Sequence, residues 1–102
     1  METIELEPRY PTRETRGKCL KCAAKGELES LLRELLRKYE REDSDKEKEG
    51  RFEALVSFLK SPDLGRLINE SESYLAEGRR MKFVIYPSET QPKYELIVKW
   101  QP

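Results

Sequence analysis

Met81-Lys-Phe-Val-Ile-Tyr86 and Tyr94-Glu-Leu-Ile-Val-Lys-Trp100, separated by Pro87-Ser-Glu-Thr-Gln-Pro92 and one lysine, decide the fold of this chain. Both runs are rich in aromatic and β-branched residues, and the proline-flanked polar segment between them turns the chain back, so they read as a β-hairpin over 81–86 and 94–100. Opposed residues of an antiparallel pair share a face. Setting Phe83 opposite Leu96 gathers Met81, Phe83, Ile85, Tyr94, Leu96 and Val98 on one side, the side expected to meet the rest of the core. The other side carries Lys82, Val84, Tyr86, Lys93, Glu95, Ile97 and Lys99. Val84, Tyr86 and Ile97 make that second face apolar for one that meets only water, and they mark it as a candidate interaction surface. A two-stranded sheet is marginal alone, so a third strand or a partner is required.

Three helices precede the hairpin. In the first, over 27–42, Leu28, Leu31, Leu32, Leu35, Leu36 and Tyr39 recur at steps of three and four and form one wide apolar stripe. The stripe lasts less than two and a half heptads, too short for a coiled coil, so it is read as core. The second spans 45–60 after a linker without apolar residues. Ser44 and Glu47 offer a capping box there, Gly50 weakens the first turns, and Phe52, Leu55, Val56 and Leu59 form the expected core face. Ser61-Pro62 starts a third helix over 62–77, serine as N-cap and proline at the first helical position. It buries Leu64, Leu67, Ile68 and Leu75 and ends at Gly78.

Upstream, Thr-Ile-Glu-Leu-Glu at 3–7 alternates as a short strand that Pro8 and Pro11 should stop. Residues 9–25 show little periodicity and read as a basic loop. Arg9, Arg13, Arg16, Lys18, Lys21 and Lys25 face a single acid, Glu14. With Tyr10 as a stacking aromatic, these residues form a candidate nucleic-acid contact. The expectation is one α+β domain over 1–102, with three helices on one face of a small antiparallel sheet made of the hairpin and a possible N-terminal strand.

The same loop carries Cys19-Leu-Lys-Cys22, the only cysteines in a chain that has no histidine. As metal ligands the pair is half a site, because closed zinc sites take four ligands; a symmetric dimer could complete a Cys₄ zinc from two copies. As a redox dithiol it should open a helix, whose dipole lowers the thiol pKa. A helix beginning near residue 27 and the lack of a strand directly before the motif argue against that reading, and a helix reaching back to Leu20 would partly revive it. The bland alternative is a pair without a role.

Composition narrows the remaining classes. At 102 residues there is room for one core. Charged residues make up 39% of the chain, yet 20 basic and 20 acidic residues cancel, which weakens the case for bulk polyanion binding. The abundance of Glu, Lys and Arg resembles the ion-pair-rich surface of thermophile proteins. No apolar run approaches a membrane span, and the start lacks a signal-peptide pattern, so a cytoplasmic location is expected, where cysteines stay reduced. Without histidine there is no Ser-His-Asp or Cys-His pair, and the glycines form no phosphate loop, so no catalytic residue is nominated. The leading expectation is a small non-catalytic interaction module, an adaptor or regulator that self-associates or binds another protein. Nucleic-acid binding through 9–25 is the alternative, and a thiol-redox or shared-zinc protein the third.

Overall fold

The structure is a computed structural model, described here over residues 2–11, 19–41, 46–85 and 93–102. Over these residues the chain forms strand β1 (Glu2–Leu6), helices α1 (Leu20–Arg41), α2 (Lys46–Lys60) and α3 (Pro62–Glu77), and strands β2 (Met81–Ile85) and β3 (Tyr94–Val98). The strands make one sheet in the order β1-β3-β2, and the helices pack with it in an α+β arrangement. The sheet is mixed rather than antiparallel, because β1 joins β3 in parallel. The long path through three helices makes that possible, since parallel neighbours need a crossover whereas a tight turn forces antiparallel pairing.

The hairpin register is the expected one. Phe83 pairs with Leu96, Met81 with Val98 and Ile85 with Tyr94. All six are buried. β1 extends the same inner face, placing Ile4 beside Leu96 and Leu6 beside Val98. It therefore lies at the edge of β3 and does not cover the outer face. Proline does not stop the pairing. Beyond β1 the Lys99 N–H donates to the Leu6 carbonyl at 2.9 Å, Gln101 N–H to the Pro8 carbonyl at 2.8 Å, and Tyr10 N–H to the Gln101 carbonyl at 2.8 Å. What Gln101 takes from Pro8 is an acceptor, and proline lacks only the donor.

Above the sheet, Leu28 and Leu32 of α1, Leu55 and Phe58 of α2, and Leu67 and Ile68 of α3 close the core. Burying each such side chain contributes about 1.5–3 kcal/mol before entropy is subtracted. The α2 face is rotated from its expected setting. Ala54, Leu55 and Phe58 are buried, Leu59 is half-buried, and Phe52 and Val56 face partly outward. Phe58 turns in because it meets Phe83 of β2, ring centres 5.7 Å apart. Gly50 lies within the helix and serves packing: a β-carbon there would run into the Tyr94 hydroxyl.

α3 has the expected ends. Ser61 accepts from the Asp63 N–H at 3.2 Å, and its own hydroxyl donates to the Phe58 carbonyl at 2.9 Å. Gly78 adopts the left-handed conformation at φ 66°, its N–H donating to the Leu75 carbonyl while Arg79 N–H donates to that of Tyr74. The Ser44 capping box lies outside the described residues. None of the helices is long and apolar enough to cross a membrane.

Candidate functional site

The first helix begins seven residues earlier than its leucine stripe suggests. Ala24 is fully buried and carries the inner stripe back by one turn from Leu28, so the segment Leu20–Gly26 is helical and anchored. Gly26 sits within it where nothing crowds the backbone. Cys19 thereby becomes the residue that caps α1. Its carbonyl accepts from the Ala23 N–H at 3.2 Å, closing the first turn, and its Sγ accepts from the Cys22 N–H at 3.2 Å. That sulfur occupies the place a serine or aspartate oxygen takes at an N-cap.

Cys19 and Cys22 are joined by a disulfide, with Cα atoms 5.3 Å apart, and both side chains are exposed. Three-residue spacing within one turn already sets such a separation, so the bond ties no distant elements together. Lys21, exposed between the cysteines, has no ion-pair partner among the described residues. Lys25 lies one turn on and joins Glu29 at 3.9 Å, which also meets Arg33 at 3.9 Å. The first turn of α1 contains no acid. The site is therefore a sulfur pair at the positive end of a 22-residue helix, flanked by lysines.

The metal reading meets two facts. With the sulfurs bonded to each other there is no thiolate, so a zinc shared between copies requires reduction first. Among the described residues, no group of three or more Cys, Asp or Glu could hold a metal.

The basic segment is only partly described. Arg9, Lys21 and Lys25 are exposed, while Arg13, Arg16 and Lys18 lie outside the described residues. Tyr10, expected as a stacking aromatic, is instead buried, its ring edge-on to Trp100 at 5.4 Å. Its position beside Gln101 at the end of the β1–β3 pairing carries it inward, so it has no face to offer a base. Among the described residues neither the Tyr10 hydroxyl nor the Trp100 indole N–H has a partner in good hydrogen-bond geometry, Ser71 lying only close enough to the Tyr10 hydroxyl for a weak interaction. The nearby Ser71 hydroxyl, fully buried, donates to the Ile68 carbonyl at 2.8 Å. Burial raises the Tyr10 pKa and the charge of Glu72 adds to the rise, with Ser71 a smaller opposing influence. Ser71 was invisible in the sequence, where a serine on the inner face of α3 breaks the apolar pattern.

On the outer face of the sheet Val84 is 40% exposed, the only large apolar side chain so open among the described residues. Ile97 is half-buried between Glu5 of β1 and Lys82 of β2. Lys82 reaches Glu95 at 2.7 Å. Tyr86 lies outside the described residues. Three short strands offer a face of roughly 240 Å² against the roughly 800 Å² per partner of a standard interface.

A protein-family model matches residues 12–99. The chain belongs to that family. The match takes in both cysteines, the three helices and the hairpin, leaves β1 and Tyr10 outside, and attaches no activity. No curated protein and no solved structure matches the chain.

Proposed function

We propose that this protein is a small thiol–disulfide exchange module whose reactive group is the Cys19/Cys22 pair. One observation carries the reading: α1 starts at Leu20, which makes Cys19 its cap and aims the Cys22 N–H at the Cys19 sulfur. That is where a thiolate is stabilised, by a charge-assisted N–H contact and the helix dipole. Exposure of both sulfurs supports access, and the short loop they close gives the bond little to do as a scaffold.

The exchange balances without a metal. In the dithiol form the Cys19 thiolate attacks one sulfur of a partner disulfide, making a mixed disulfide and releasing one partner thiolate. The Cys22 thiolate then attacks Cys19 Sγ, which closes the internal disulfide and releases the second. Two electrons pass to the partner, and the two cysteine protons end on its thiols. A cellular thiol returns the module to its dithiol form, as a reducing cytoplasm would allow.

Trapping tests this directly. Cys22→Ser incubated with oxidised glutathione should accumulate a stable mixed disulfide at Cys19, read by mass spectrometry. Wild type should pass through it to the internal disulfide. Reaction at Cys19 no faster than at a free cysteine contradicts the proposal.

A second reading rests on Val84: the outer face of the sheet as a site of weak association with a copy or another protein. Its area favours transient contact. Concentration-dependent sedimentation that Val84→Lys abolishes would support it; a monomer at every concentration would remove self-association.

A further inference from the structure

We infer that the disulfides this site prefers carry negative charge. The inference rests on the exchange reading above and adds the class of substrate. Every charge described near the sulfurs along α1 has one sign. The helix end is positive, Lys21 stands exposed between the cysteines, and Lys25 follows one turn later, with no acid in the first turn. The first acids are Glu27, two turns from the cap, and Glu29, which already lies between Lys25 and Arg33.

An attacking thiolate adds its own negative charge, and it repels an anionic partner when nothing compensates. Here the lysines do so. A unit charge about 7 Å from the reacting sulfur changes the local concentration of a singly charged partner by roughly threefold in water. Lys21 and the helix end, with Lys25 partly offset by Glu29, therefore separate an anionic from a cationic disulfide by about tenfold at low salt. Salt should shrink that margin, because the screening length falls to about 10 Å at 0.1 M.

The test uses the reduced wild-type chain and three probes: oxidised glutathione, which is anionic, bis(2-hydroxyethyl) disulfide, which is neutral, and cystamine, which is cationic. Each rate is divided by that of 2-mercaptoethanol with the same disulfide, which removes differences in leaving group. The expected order is anionic, neutral, cationic, with about a tenfold span at low salt. Lys21→Glu should cut the ratio of the anionic to the cationic rate severalfold; the ratio is taken within the variant, so that any change in the thiol itself cancels. Equal normalised rates for the three probes overturn the charge preference while leaving exchange standing. Rates no faster than the reference thiol for all three overturn exchange itself, and this inference with it.

Discussion

The interior between the sheet and the helices contrasts with the first turn of α1. Inside, Phe58, Phe83 and Leu96 are placed by what they touch, each excluding water from the others. At the start of α1, Cys19, Lys21 and Cys22 are exposed and are positioned by the helix they open. The first region fixes its residues through packing energy. The second is free of that constraint, and the proposed exchange chemistry is placed there. Substitutions should separate the regions: inside, stability falls and chemistry follows only through unfolding, whereas at the helix start chemistry is lost and stability stays.

Phe58→Ala should have the largest effect. Removing a fully buried ring from the contact with Phe83 is expected to cost about 3–5 kcal/mol, a large part of the roughly 5–15 kcal/mol available to a domain. Urea unfolding measures it, and a loss under 1 kcal/mol would mean that α2 does not seat this residue in the core. Gly50→Ala comes next, at about 1–3 kcal/mol, because the added methyl meets the Tyr94 hydroxyl. Adding Tyr94→Phe should recover part of that loss, since it removes the atom that clashes.

Tyr10→Phe is expected to leave stability level or raise it by up to about 1 kcal/mol, because the deleted hydroxyl is buried with no hydrogen bond of good geometry among the described residues. It also changes the alkaline limb. The folded-state pKa of Tyr10 lies above its ordinary value of 10.0, so its contribution is complete below that pH and is lost as pH rises through the folded value. Wild type should lose more stability across that window than Tyr10→Phe; identical limbs would contradict the assigned burial. Cys22→Ser should be smallest in stability, within about 0.5 kcal/mol with thiols reduced, while abolishing the internal disulfide.

The interior was largely legible and the site was not, for physical reasons. Alternation fixed which hairpin residues share a face, and Ser61-Pro62 with Gly78 marked both ends of α3 because caps have local chemistry. The face of α2 was ambiguous: Leu55 belongs both to a stripe with Phe52, Val56 and Leu59 and to one with Ala54 and Phe58. Periodicity cannot choose between them; contact with Phe83 does. The parallel partner of β1 and the burial of Tyr10 depend on residues some ninety positions away. The start of α1 was hidden by Lys21, Lys25 and Gly26, which dilute the apolar stripe to Ala24. That omission mattered most, because the helix boundary turns a cysteine pair in a loop into one at a dipole.

Titration of the reduced wild-type chain by ultraviolet thiolate absorbance tests the central claim most directly. One of the two thiols should ionise clearly below the ordinary value of about 8.5, and the low-pH step should disappear in Cys19→Ser and persist in Cys22→Ser. Two thiols that both ionise at the ordinary value would contradict the account.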